Sequence, residues 1–482
     1  MALTIEQKPK YNLIPANNEI IFSVQDGNQV ANQVKVKYIA ELYIEKTTAA
    51  ITASIAAGTP QATLRVSPNN AGSGIFDLGP IACNYVSPDY LGGKIDNTNN
   101  NFSEYKGQDF HSTKPHPIHL IDMYSTNRKS CIFMQVRFKV ESAPNLASPV
   151  AVVPTNAQDS DVMVLYNGIM DETDILNLDA SGNYGFNLDI INFIPNDTSS
   201  KFLTNAGTTQ YIKNNQYMTV AFFSEYDDDF VVGAGGTHAA VKDAYITVET
   251  KSGSTAVFSR PITPGNGGHH GTLADSNTRM QFLGIGTANI TNSGITLPSN
   301  WDYYKIQLVA NDGTSSPQYV SDTYYFYRQE DDCRYPTIRL TWLNKFGAWD
   351  YYNFNKKSIN TLNAERTTYT QLKGEWNKAK FQYHGYRGGK KSYVNNVSEN
   401  ITLNTDYITE DEAIWLEELF ISNDVFIVHD DTADDGAGYI NKYIEPITIQ
   451  SSDYIRKTKV NDKLIQYTFD ILKSKNRKTH KA

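Results

Sequence analysis

Several things are scarce in this 482-residue chain. It holds three cysteines, Cys83, Cys131 and Cys333, which lie far apart with no C-x-x-C pair, so neither a disulfide framework nor a zinc ribbon is expected. Reduced, buried thiols are the expectation instead. No apolar run reaches the roughly 18 residues of a membrane span. The opening MALTIEQKPKYNLIP has no apolar h-region or small-residue cleavage site, so export by a signal peptide is not expected. Basic residues are outnumbered 43 to 52, for a formal charge of -9, which argues against a surface built mainly to hold phosphate backbones. No G-x-S-x-G elbow occurs, and GAGGTH at 233–238 lacks the lysine of a P-loop.

What is abundant is aromatic and turn-forming. Aromatics make up 12% of the chain, with 31 tyrosines, among short apolar runs separated by Asn, Thr, Ser and Gly, a β-rich composition. Residues 34–44, VKVKYIAELYI, place Val34, Val36, Tyr38, Ala40, Leu42 and Ile44 on one side and Lys35, Lys37 and Glu41 on the other, which predicts a long half-buried strand. IIFSV (20–24), TLRV and GIFDL within 63–78, and RKSCIFMQVRFKVES (128–142) read as further strands. The Ala/Thr run TTAAITASIAAGTP at 47–60 reads as an exposed loop or hairpin tip.

APNLASPVAVVPTNAQDSD, 143–161, carries three prolines among small and polar residues and predicts a linker or long loop. The expected organisation is an N-terminal β-sandwich over 1–142, that linker, middle β modules over 162–335, a C-terminal β-rich domain over 336–472 and a basic flexible tail over 473–482. In the middle region VMVLYNGI, YGFNLDIINFIP, YMTVAFFSEY, WDYYKIQLVA and YYFYR read as strands, and YITVETKSGSTAVFSRPI reads as a hairpin turning at Lys-Ser-Gly-Ser. All five tryptophans fall after residue 300. One helix is predicted over 408–422, where Thr409 and Glu412 form a capping box and Trp415, Leu416, Leu419 and Phe420 an apolar stripe. Ile465, Tyr467, Phe469 and Ile471 alternate with polar residues as a closing strand. The predicted class is mainly β: several sandwich or barrel-like modules with a C-terminal α+β module.

Candidate chemistry is thin, and no catalytic, cofactor or metal residue is assigned. His111, His116 and His119, with Asp109 and Asp122, lack the helical spacing of a zinc protease because Pro115 and Pro117 flank the middle histidine. His269 and His270 sit in a glycine-rich loop and read as a solvated tip. HDDTADDG at 429–436 fails as an EF-hand, because Ala433 takes the third position and Lys442 the twelfth. Asp227 to Asp229 and the pair Asp331 and Asp332 read as surface acids. In LTWLNKFGAWDYYNF, 340–354, Asn344 to Gly347 turns the chain between two strands. Tyr352 and Phe354 then share one face of the second strand, and Trp349 and Tyr351 the other. Both faces are apolar, so Trp349 and Tyr351 are expected to meet a neighbouring domain or subunit.

The opening series YNLIPANNEIIFSV, VKVKYIAELYI and RVSPNNAGSGIFDL is similar to the start of virion structural proteins of tailed bacteriophages of Bacteroidetes hosts, including crAss-like phages. KFLTN (201–205), IRLTWLNKFGAWDYYNF (338–354) and the closing order of capped helix and YTFDI strand also resemble that group. The resemblance implies a non-enzymatic virion subunit, a tail or neck ring, hub or adaptor assembled in the host cytoplasm. Its partners would be further copies in a cyclic homo-oligomer, other tail, neck or portal proteins, and packaged DNA through the basic tail, with no membrane and no cofactor. Alternatives from other classes are a carbohydrate-binding tail-tip adhesin or depolymerase, and a capsid decoration or head fibre.

Overall fold

The computed structural model describes residues 2–88, 124–126, 130–171, 175–176, 182–183, 185–186, 190–223, 241–261, 279–292, 294–310, 318–330, 334–429, 444–451, 453–455, 465–475 and 477. The strands gather into several mainly antiparallel sheets, and no sheet among the described residues closes into a barrel. Two compact units result. One comprises described residues of Met1–Gln329 with Leu343–Asp350; the other comprises those of Glu330–Trp342, Tyr351–His429 and Asn441–Ala482.

The first unit begins with a β-sandwich. A three-stranded sheet of Thr4–Gln7, Ile21–Gln25 and Ser73–Asp77 faces a larger one ordered Leu13–Pro15, Met163–Tyr166, Cys131–Ala143, Val34–Glu45, Ala62–Val66. Alternation supplies the core: Phe22, Val24 and Phe76 from the small sheet meet Tyr38, Leu42 and Phe138 from the large one. Tyr38 also ties down the Gly27–Asn32 helix that connects two strands. Its hydroxyl accepts from the Asp26 N–H (2.9 Å) and donates to the Gly72 carbonyl (2.7 Å). The back of Val34–Glu45 is less open than its pattern implies, for Ile39 and Tyr43 are buried there too.

Three expectations fail here, each for a local reason. The Ala/Thr run is a helix, Thr48–Ala57, because alanine is the best helix former and both ends are capped. Thr47 accepts from the Ala50 N–H (3.1 Å), and Gly58 takes the left-handed conformation at φ 65°. The expected linker at 143–161 is largely a strand, Ala151–Asp159, paired with Cys131–Ala143. Pro154 lies within it, on a strand at the margin of the sheet, where a missing N–H is tolerated. No boundary falls there, since Leu13–Pro15 pairs in parallel with Met163–Tyr166 across the whole interval. Within YGFNLDIINFIP, finally, Ile190–Phe193 forms a 3-10 turn, and of its described residues Gly185–Phe186 is a strand.

The rest of the first unit repeats the layered plan. One sheet runs Thr209–Ile212, Tyr324–Arg328, Trp301–Ala310, Val241–Thr250, Thr255–Pro261; a second comprises Thr219–Phe223, Met280–Gly284 and Tyr124–Thr126. Phe202 joins them, edge-on to Phe222 of one (6.4 Å) and Tyr324 of the other (4.9 Å). The expected hairpin turn falls between Glu249 and Thr255, with Gly253 at φ 80°.

Leu343–Asp350 is a polar-locked turn. The Asn344 side-chain oxygen accepts from the Phe346 and Ala348 N–H groups (3.0 Å each), and its amide donates to the Leu203 carbonyl (2.9 Å). The Thr204 hydroxyl donates to Asp350 (2.7 Å), so KFLTN and the aromatic segment, far apart in sequence, are held together. Gly347 adopts φ 76°, and a Cβ there would meet the Asn167 carbonyl oxygen at 2.0 Å.

In the second unit a seven-stranded sheet is ordered Trp349–Phe354, Ile338–Leu343, Val425–Val428, Ile444–Ile449, Thr468–Lys473, Gly389–Asn404, Ile359–Gln371. The helix Glu410–Ile421 forms with both halves of its capping box. Trp415 packs on Trp342 at 5.2 Å and on Tyr352 at 6.2 Å. Ile465, Tyr467, Phe469 and Ile471 are all buried while Gln466, Thr468 and Asp470 are exposed, the alternation a one-sided strand requires.

Gly347→Ala is expected to destabilise the first unit by about 1–3 kcal/mol, through both the disfavoured φ and the clash; denaturant unfolding measures it. A second expectation concerns alkaline pH. Burial, and then the neighbouring Glu41 that its hydroxyl donates to (2.9 Å), push Tyr43 up to about 12 from an ordinary 10. A proton held more tightly in the fold stabilises fully below pH 10, and that stability is lost as pH rises through about 12. Tyr43→Phe should therefore show a shallower loss of unfolding midpoint across that window than the wild type, and superimposable pH profiles would refute the assignment.

Candidate assembly surface

The groups displaced from their ordinary ionisation among the described residues are mostly phenols and one thiol. Burial pushes Tyr166, Tyr324, Tyr352 and Cys131 up, which is the response of packed core side chains and not the pattern of an acid paired with a base. Cys83 and Cys131 are free thiols, the first half-buried and the second buried. No three His, Cys, Asp or Glu side chains among the described residues converge as a metal site. No helix among them is long and apolar enough to cross a membrane. Cys333, the histidines at 111, 116, 119, 269 and 270, and the acids at 109, 122, 227–229, 331, 332 and 430–436 lie outside the described residues, as does GAGGTH.

Trp349 and Tyr351 are 5% and 4% exposed in the single chain. Both faces of Trp349–Phe354 are covered, as the two-sided pattern implied, but the chain itself covers them. The Arg339 guanidinium lies 5.0 Å from the Tyr351 ring centre and donates to Asn353 at 2.8 Å. The expectation of a subunit contact at these two residues is therefore withdrawn, because so little of either remains to touch another molecule.

The exposed surface lies elsewhere, on a segment whose pattern predicts no core. Ile359–Gln371 and Gly389–Asn404 form a long antiparallel ribbon at one edge of the seven-stranded sheet. Only its root is supported. Asn400–Asn404 pairs with Thr468–Lys473, and Glu399 meets Lys473 (3.7 Å) and Arg477 (3.2 Å). An isolated bridge joins Val397 to Arg477, and from Glu365 to Gln371 no third strand pairs with the ribbon among the described residues, a reach of about 20 Å at the rise of an extended chain. A bulge between Thr367 and Thr368 adds local twist.

Past the ribbon a smaller hairpin, Gly374–Glu375 with Gln382–Tyr383, forms the tip. Gly374 is needed there, since a Cβ would meet the Gln382 carbonyl oxygen at 2.1 Å. The tip is aromatic and open: Trp376 is 73% exposed, Tyr383 67% and Tyr386 78%. Trp376 packs on Phe381 at 5.0 Å, and the Arg387 guanidinium sits 5.4 Å from the Tyr386 ring. Between Arg366 and Lys391 seven lysines and arginines stand against Glu375 alone.

Hydrophobic periodicity passes over this arm because Thr, Asn and Ser occupy both faces, leaving no apolar stripe. A Gly388-Gly389 turn, β-favouring Thr367-Thr368-Tyr369-Thr370 and clustered basic charge are the signals that find it. The expected basic tail, in turn, is partly structural. Lys473 ends a strand and meets Glu445 (3.2 Å) as well as Glu399, which Arg477 also meets.

Compared with known proteins, the chain matches no protein-family model and no curated sequence.

Trp349→Ser and Tyr351→Ser are each expected to lower unfolding stability by about 3 kcal/mol or more, the usual cost of emptying a buried aromatic site. Urea titrations that leave both midpoints in place would instead return these residues to the surface.

Proposed function

We propose that this chain is a non-enzymatic structural protein of a tailed-bacteriophage virion, a ring, hub or adaptor subunit of the tail or neck that assembles through broad protein contacts. The observation that carries the reading is the arm Ile359–Asn404. A two-stranded ribbon alone is marginal in water, and this one ends in three large aromatics open to solvent. Such an element becomes stable, and its apolar surface is covered, when another protein lies against it. The layered β modules supply rigid bodies to carry it, and the resemblance to virion proteins of Bacteroidetes phages points the same way.

A second reading rests on the same tip. Exposed tryptophan and tyrosine present flat apolar faces that suit the faces of sugar rings, which would make the chain a glycan-binding tail-tip adhesin. The two readings part on stoichiometry and ligand. The structural reading expects the chain in purified phage particles, in several copies by quantitative mass spectrometry, and a multimer of the recombinant protein by light scattering. A chain missing from washed particles would refute it, and a monomer that binds host polysaccharide would favour the adhesin.

A further inference from the structure

The second unit carries two exposed surfaces of opposite character. The arm segment Arg366–Lys391 has a formal charge of +6, which leaves -15 for the rest of a chain whose total is -9. The segment Thr405–Asp424, containing the helix Glu410–Ile421, has seven acids and no basic residue. Asp406 is met by Lys356 (2.9 Å), and Glu412 is engaged in the capping box, but Glu410 and Asp411 are exposed. On the helix surface turned away from Trp415 and Leu416, Ile414 and Ile421 lie two turns apart, 45% and 66% exposed, with Tyr407 also open just before the helix. That is an apolar stripe with an acidic end, the complement of an aromatic tip with basic flanks.

We propose that the arm of one copy docks on the outer face of Glu410–Ile421 of a second copy. Trp376, Tyr383 and Tyr386 would cover Ile414 and Ile421, while Lys378 and Lys380 approach Glu410 and Asp411. Within one chain both surfaces are open to solvent, so neither covers the other. The three aromatics alone offer on the order of 500 Å², much of the roughly 800 Å² per partner that a stable interface needs. Buried aromatic anchors with charged surroundings are the usual anatomy of such a contact, the charge setting encounter rate and register more than raw affinity. Each copy has one arm and one helix face, so the contact closes as a two-fold dimer when two arms exchange and propagates into a ring or a filament when they do not. Nucleic acid is the other ligand that a basic, aromatic ribbon suits, but it leaves the acidic, apolar helix face unexplained. The proposal rests on the structural reading above and adds to it the surfaces that meet.

The test uses the full chain and sedimentation equilibrium. Wild-type protein should self-associate, more weakly as salt rises. Lys378→Glu with Lys380→Glu, and separately Trp376→Ser, should each weaken association by about tenfold or more, with unchanged unfolding midpoints because all three positions lie on the arm's tip. Glu410→Lys with Asp411→Lys should do the same from the other side. Mixing the arm-reversed and helix-reversed chains should restore association, since each interface then pairs opposite charges again. A wild type that stays monomeric, or arm variants that associate as well as wild type, would overturn the proposal. So would an arm whose variants lose binding to a fluorescent single-stranded oligonucleotide while self-association is untouched. Absence of the chain from purified particles would defeat the virion reading separately, whatever the arm does.

Discussion

A β-sheet has two faces, and each apolar one must find cover. In the N-terminal sandwich, Phe22 and Phe76 of one sheet close over Tyr38 and Phe138 of the other. In the second unit the helix Glu410–Ile421 lays Trp415 on Trp342. Trp349–Phe354 is apolar on both sides and is covered on both. Element after element settles this demand within the chain. The ribbon beyond Ala364 is the exception among the described residues: no third strand pairs with it, and a cluster of exposed aromatics stands at its end. The same constraint that builds the core thus sets this ribbon apart from every other described strand pair.

Much of the fold was legible because period-two patterns are strict when one face is buried. Ile465, Tyr467, Phe469 and Ile471 read as they lie, and the capping box at Thr409 and Glu412 forms as spaced. The failures have physical causes too. A run of alanines carries no amphipathic pattern, so Thr48–Ala57 showed nothing except propensity and caps. Prolines at 149 and 154 suggested a break, yet the first precedes the strand Ala151–Asp159 and a marginal strand tolerates the second. The pair Trp349 and Tyr351 was expected to meet a neighbouring domain or subunit; both are buried within the single chain, and sequence spacing cannot say which part of a chain returns to supply a second layer.

The exposed arm was the least legible part for the converse reason. Hydrophobic periodicity finds what a chain buries within itself, and the arm buries little. Its strands are mostly polar on both faces, with exposed apolar residues such as Leu362, Tyr369 and Tyr393 scattered among them, so no core-strand pattern marks it. What distinguishes it is a charge excess opposite to that of the chain as a whole, visible only when the local balance between Arg366 and Lys391 is set against the total.

The position of Thr468–Lys473 has a consequence for timing. This strand lies inside the seven-stranded sheet, between Ile444–Ile449 and Gly389–Asn404, and it is the last in sequence of the described strands. Domains generally fold as units, with N-terminal ones first during synthesis. The sandwiches before it have their strands in hand early, whereas the second unit's sheet stays split until this last piece inserts. The arm's root pairs with that piece, so a nascent chain has no firmly seated arm.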